Sequence, residues 1–474
     1  MILNHDKELS EKSMSEPIFY KSIDELIRMY EEKSISPLEV TEEFLKRIKK
    51  YNNKLNAYLE IYNDDAINYA RSLNDSKSHN PLFGIPIGLK DLVDIKNKIT
   101  TAGSKILENN KATKNSKITQ DFLDNQSIIL GKTNLVEFAF GTLGINSNTN
   151  TCRNPWDTDR VPGGSSSGSA VAVSAGLATF AIGTDTGGSI RMPASLCGIT
   201  GFKPSYGIVS RRGVMDLSWS MDHVGPMARS AKDCLNIMKV IGGHDPRDKY
   251  SIKLEDNHFN EEVITNRNEI KLGLPKDYFF EEVNEEIKIN VMKSVDQLSN
   301  MGYQIEEIDL PFVADGRKIN IAVLLPEAIS VHSEYLKNYK SYTKTVLNRM
   351  IGGLGVSSEE YLTASRAMSS FNYQMNKKMN NIDALITPTV PVIAPLISES
   401  SSPNTYESNS MGRFTGVFNL TGQPSISVPC GFTKKNLPIG MMLTGKINND
   451  NKLLNIAIDW QNETEFHTKR PILN

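Results

Sequence analysis

VPGGSSSGSAVAVSAGLATFAIGTDTGGSIRMP, residues 161–193, is the stretch around which the chain is organised. It sets two glycine and serine turns, GGSSSGS (163–169) and DTGGS (185–189), on either side of a small-residue apolar run that reads as a buried helix followed by a strand. Consecutive glycines let the backbone bend where a Cβ would collide. Exposed N–H groups in so tight a turn can converge on one oxygen, the requirement of an anion or oxyanion site. Glycine content alone would also suit two flexible loops. Two such turns on a single apolar element favour a site.

Upstream, LFGIPIGLKDLVDI (82–95) is a strand-like apolar run with Lys90 inside it. Such a lysine is either a snorkelling residue on an edge strand or a buried amine. Buried, its pKa would fall and it could act as a base near neutrality. SIILGKTNLVEFAFG (127–141) reads as a strand followed by a helix. Its GKT tripeptide is not a phosphate loop, because position 126, where the motif needs glycine, is Gln. Further out, Ser22 with Glu25 and Ser36 with Glu39 open helices of an N-terminal brace (18–75), preceded by a polar tail, 1–17. Downstream lie a turn-rich connection (196–213), a charged surface excursion near 245–270 and a helical region, 313–380. Strand, helix and strand alternate from IKLGLP (270–275) onward, with apolar strands at 384–393, 426–431 and 438–445, which argues for an α/β fold.

The whole chain has 474 residues, 39% hydrophobic and 23% charged, with a net charge of −2. That balance implies neither nucleic acid nor membrane as a partner. No apolar run has the length of a membrane span or signal peptide, so a cytoplasmic protein is expected. Cys152, Cys197, Cys234 and Cys430 form no CxxC pair and no Cys/His cluster, so neither a disulfide framework nor a metal site is expected. Cys197 is read as inert packing.

Residues 164–168 formally satisfy GxSxG, which would make Ser166 the nucleophile of an α/β-hydrolase. That elbow needs a strand before it, and NPWDTDRVPG (154–163) reads as loop. None of the histidines at 5, 79, 223, 244, 258, 332 and 467 has a convincing late catalytic setting. Ser166, Ser167 and Ser169 are read as small polar residues at a helix start.

GGSSSGSAVAVSAGLATFAIGTDTGGSIRMPASLCGITGFKP resembles the signature of the amidase signature family, as do FGIPIGLKD, LGKTNLVEFAFG, RNPWDTDRVPGG and NLTGQPSISVPCG. The resemblance implies one domain over 18–474 and a large mixed β-sheet covered on both faces by helices. It also implies a Ser, Ser and Lys triad. Its nucleophile falls on Ser189 of DTGGS, its bridging serine on Ser165 and its lysine on Lys90. Backbone amides of Thr186, Gly187, Gly188 and Ser189 would form the oxyanion hole, with no cofactor and no metal. Asp185 and Arg191 would fix the turn. The chemistry needs these types: a neutral Lys90 takes the proton of Ser189 through Ser165 as Ser189 attacks an amide, and the relay returns it to the leaving nitrogen.

Within that family two readings compete, and the length suits both. One is a free-standing amidase acting on a small carboxamide as its only implied partner, with a homodimer as a possible assembly. The other is the glutaminase subunit of a glutamyl-tRNA(Gln) or aspartyl-tRNA(Asn) amidotransferase, working with other subunits. A non-catalytic relative is disfavoured by the complete triad, and an ester or carbamate hydrolase is a further variant of the same chemistry. Transamidating members carry an acid for the glutamine ammonium where this chain has Gly412, and 410–422 contains no acid at all. Losing that charge-assisted contact is worth about 1.5–3 kcal/mol. The expectation is therefore a protein nearer the free-standing amidases, with Phe140 and Gly141 lining the cleft and Phe414 and Phe418 forming an aromatic or aliphatic acyl pocket.

Overall fold

The computed structural model describes residues 16–74, 80–255, 258–400 and 410–473. Most of the polar tail, with His5, lies outside them, as does His79. Among the described residues eleven strands form one mixed sheet: Tyr58–Ile61 (β1), Pro86–Lys90 (β2), Ile128–Thr133 (β3), Phe180–Asp185 (β4), Thr200–Lys203 (β5), His223–Ala228 (β6), Lys271–Pro275 (β7), Gln304–Ile308 (β8), Ala384–Pro388 (β9), Ser425–Phe432 (β10) and Pro438–Gly445 (β11). Their spatial order is β1-β3-β2-β4-β6-β5-β10-β11-β9-β7-β8. β2 runs parallel to β3 and β4, and β7 parallel to β8 and β9, while the strands between are antiparallel.

β2 and β4 are buried along their whole length. Strands covered on both faces read as continuous apolar runs rather than alternating ones, as these do. The helix Ser167–Ser174 is buried at every residue and packs against β4. Gly168 allows this approach: a Cβ there would stand 2.3 Å from Ala57 O and Asn134 N. The brace forms as expected, in helices Ile23–Glu31, Pro37–Leu55 and Asn63–Leu73, the first two with complete capping boxes. The excursion is tied down through Asn260 N and Glu262 N, which donate to Asn451 and Asn455 on the helix Asp450–Asn462. All four cysteines are buried and free. Among the described residues no helix is long and apolar enough to cross a membrane.

Two expectations fail. No α-helix follows β3, because Phe138 (φ 51°) and Ala139 (φ 59°) are left-handed, which ends helical propagation. The segment is a loop with one 3-10 turn, Glu137–Ala139. The connection at 196–213 also holds a full strand, β5, hydrogen-bonded to β6 and β10.

Candidate active site

Register places the lysine. β2 pairs Ile87 with Phe180 and Leu89 with Ile182 of β4, so Lys90 ends its strand beside the end of β4. Its side chain is fully buried, so the buried-amine reading holds and the snorkelling one does not. Nζ lies 2.8 Å from Ser165 Oγ, 2.9 Å from Ser166 Oγ and 2.8 Å from Thr184 Oγ1. Burial pushes Lys90 down to about 7, against the fields of Asp185 and Asp222, which raise it.

An ammonium could donate to all three hydroxyls, whereas a neutral amine has two protons and one lone pair. Ser166 Oγ already donates to Thr184 O (3.1 Å), so toward Nζ it acts as acceptor. Ser165 Oγ has Lys90 as its one hydrogen-bond partner among the described residues, which leaves its proton available to the lone pair. Ser166 and Thr184 therefore touch the amine directly. Sequence reasoning set Ser166 aside as an elbow nucleophile and read it as a small polar residue at a helix start, and it did not single out Thr184; the parallel pairing of β2 with β4 was the signal for it.

The second turn follows β4. Asp185 accepts from Gly188 N (2.7 Å), Ile190 N (3.1 Å), Arg191 Nε and Nη2 (3.0 and 2.9 Å) and Asn419 Nδ2 (2.9 Å). Burial alone would raise the Asp185 pKa, but Arg191 overrides it and holds the carboxyl well below the usual range. Gly188 has φ 125°, and a Cβ there would stand 2.1 Å from Thr415 Oγ1. Only glycine fits. Thr415 Oγ1 donates to Gly187 O (2.6 Å) and Thr186 Oγ1 to Asp222 (2.5 Å), so both walls of the loop are braced.

The four expected oxyanion donors need one correction. Gly188 N is committed to Asp185, whereas the amides of Thr186, Gly187 and Ser189 donate to no acceptor among the described residues. The two turns are joined by Ser166 N donating to Ser189 O (3.2 Å), and the first contains a cis peptide between Gly164 and Ser165. Ser189 keeps 7% of its surface exposed and Ser165 none.

Phe414 and Phe418 do not form an acyl pocket. Both are fully buried in a separate core cluster, their rings 5.4 and 5.8 Å from Phe279. Phe140 is 4% exposed beneath Arg349, which donates to its carbonyl (3.0 Å), and a Cβ at Gly141 would meet Val136 at 2.7 Å. Among the described residues no histidine is hydrogen-bonded to a serine of either turn: His223 Nδ1 bonds Met221 O (2.7 Å), and His332 Nδ1 bonds Tyr342 Oη (2.8 Å).

A chain whose lysine, two turns and mixed sheet are built in this way has clear relatives. Residues 39–454 match the Amidase family. The glutamyl-tRNA(Gln) amidotransferase subunit of this type from Halothermothrix orenii is 36% identical over 478 residues, 95% of this chain and 99% of that one. The crystal structure of its Thermotoga maritima namesake is 30% identical with TM-score 0.80, covering 93% of this chain and 94% of that one. A peptide amidase solved with the competitive inhibitor chymostatin is 25% identical, TM-score 0.83, covering 96% and 99%. The chain belongs to the amidase family. It is accordingly a hydrolase acting on C–N amide bonds. The expectation that it stands nearer the free-standing amidases is not supported, since relatives at 33–36% identity across nearly the whole chain carry the amidotransferase name.

Proposed function

We propose that this protein hydrolyses a carboxamide to a carboxylate and ammonia or an amine through an acyl-enzyme on Ser189. The Ser189 oxygen bonds to the carbonyl carbon while its proton passes to Ser165, whose own proton passes to Lys90. Free amides of Thr186, Gly187 and Ser189 receive the oxyanion, each such donor contributing about 3 kcal/mol. The C–N bond then breaks as the relay returns the proton to nitrogen, and water cleaves the ester. The observation that carries this reading is the buried Lys90 Nζ, 2.8 Å from Ser165 Oγ and brought to about 7. Trapping with a fluorophosphonate and locating the adduct by mass spectrometry tests it: the label is expected on Ser189, and a label on Ser166 refutes the assignment.

The relatives favour the second reading, the glutaminase subunit of a tRNA amidotransferase working with partner subunits, over a free-standing enzyme. Gly412 weighs against glutamine itself, because the described residues offer its ammonium no acid there. Ammonia release from glutamine, measured with the chain alone and with copurified subunits and compared with neutral amides, separates the two. A clear glutamine preference decides for the amidotransferase reading.

A further inference from the structure

A buried carboxylate on the helical wall holds the segment that braces the oxyanion turn. The wall consists of the helices Gly316–Val331, Lys344–Leu354 and Ser358–Met379, the first packed against the other two. Glu327, on the first helix, is 1% exposed. Its Oε2 accepts from Ser218 Oγ (2.6 Å), Ser220 N (3.2 Å) and Ser220 Oγ (2.9 Å), and its Oε1 from Tyr361 Oη (3.1 Å) on the third helix. A carboxylate withdrawn from water is costly unless donors surround it. Four converge on this one, and a satisfied buried network rigidifies the segments it joins.

Those segments lead to the nucleophile loop. Leu217 N and Ser218 N donate to Asp222 Oδ2 (2.7 and 2.9 Å), and Met221 N and Asp222 N donate to Ser218 O (3.0 and 2.9 Å), so residues 217–222 close into one compact turn. Asp222 Oδ1 in turn accepts from Thr186 Oγ1 (2.5 Å), and the next residue, His223, pairs with Asp185 across β6 and β4. The turn therefore abuts both residues that precede Gly187. The same helix grips it a second time. Asn320, two helical turns before Glu327 and so on the same face, donates to Met221 Sδ (3.2 Å). From the other side Tyr206 Oη donates to Trp219 O.

The free amide of Thr186 thus sits at the end of a line of contacts that begins at Tyr361, passes through Glu327 and the 217–222 turn, and closes at Asp222. We infer that Glu327 is a positioning residue for the oxyanion hole, holding the Thr186 amide, through Ser218, Ser220 and Asp222, where the substrate's carbonyl oxygen becomes negative. The inference rests on the amide-hydrolysing reading of Ser189 above. Glu327 is too deeply buried to touch a substrate, so its effect falls on the transition state rather than on ground-state binding.

The test compares E327A, E327Q and S218A with the wild type on glutamine or butyramide, whichever the wild type turns over faster. Enzyme concentration is set by the final stoichiometry of fluorophosphonate labelling at Ser189, so unfolded protein is not counted. E327A is expected to lower kcat about 10-fold with KM changed less than about twofold. E327Q keeps the shape and one acceptor oxygen, and S218A removes a single donor, so each should retain more activity than E327A. The rate of phosphonylation, whose phosphoryl oxygen enters the same hole, should fall in step with kcat.

T186V cuts the line at its far end and separates positioning from general loosening of the fold. It should lower kcat severalfold by itself, and E327A added to it should cost no more than about twofold further. If E327A yields no labelled enzyme, S218A with T186V supplies the same cycle. Losses that multiply in the double variant, a kcat that does not change, or a raised KM at unchanged kcat overturns the inference while leaving amide hydrolysis standing. No turnover of either amide by the wild type, together with no adduct on Ser189, removes the underlying reading as well.

Discussion

The floor of the cleft and its helical wall solve charge in opposite ways. On the floor, Asp185 meets Arg191 with two hydrogen bonds and Lys132 meets Asp91 at 3.0 Å, all four side chains at most 2% exposed. On the wall, Arg317 lowers the pKa of Arg349, and no carboxylate among the described residues acts on either. A buried pair that closes on itself fixes geometry, whereas the half-buried Arg349 has the Phe140 carbonyl as its hydrogen-bond acceptor. On the proposed function the reaction belongs to the floor, whose buried charges are paired, while the wall carries cations without a paired carboxylate among the described residues.

Removing the floor's nucleophile should give the largest effect. Ser189→Ala is expected to lower kcat by about 10,000-fold, and adding Lys90→Met should cost little more, because residues that act as one unit are not additive. Steady-state hydrolysis of any accepted amide checks this, and two independent, multiplying losses would break the idea of one relay. The wall gives the contrast, since E327A acts at one remove from the reacting atoms and should cost only about 10-fold.

Stability should divide the two regions next. Asp185→Asn leaves Arg191 fully buried beside a neutral partner and loosens Gly188 and Ile190, so a loss of about 3–5 kcal/mol is expected from denaturant midpoints. R349Q takes the donor from the Phe140 carbonyl but leaves no buried carboxylate unpaired, so its expected change is within about 1 kcal/mol. Equal losses at both sites would end the distinction between a closed pair and an open cation.

The same contrast explains what was legible beforehand. The turns at 163–169 and 185–189, β4 and the helix between them could be read because buried strands and glycine turns impose local rules. Lys90 was identifiable as a candidate, but its burial was not, because nothing in GLKD says which strands will flank it. Thr184 appears only once β2 pairs with β4. Phe414 and Phe418 misled, since aromatic residues beside a site motif suit a pocket and a core equally, and Phe279, more than a hundred residues earlier, decides for the core. The arginines were invisible because an exposed-looking Arg on an amphipathic helix carries no sign of lacking a carboxylate.

The smallest expected effect probes how the floor tunes its base. Lys90 is lowered to about 7 by burial, with Asp185 and Asp222 pulling it upward, so kcat/KM should fall as pH drops through about 7 and the amine takes up a proton. Asp222→Asn removes one upward pull, and the acidic limb should move to lower pH by less than about one unit. Because Asp222 also braces Thr186 at 2.5 Å, the plateau should drop severalfold as that oxyanion amide loosens. Stability carries the same signature. The unfolded lysine holds its proton up to 10.5 and the folded one only to about 7, so between those values the unfolded chain binds more protons and stability rises with pH. Lys90→Met abolishes that dependence, and its advantage over the wild type in thermal unfolding should be greatest below about pH 7 and narrow as the pH approaches 10. An acidic limb that stays put in D222N, or a K90M advantage that grows with pH, would mean that Lys90 is charged in the folded protein and is not the base.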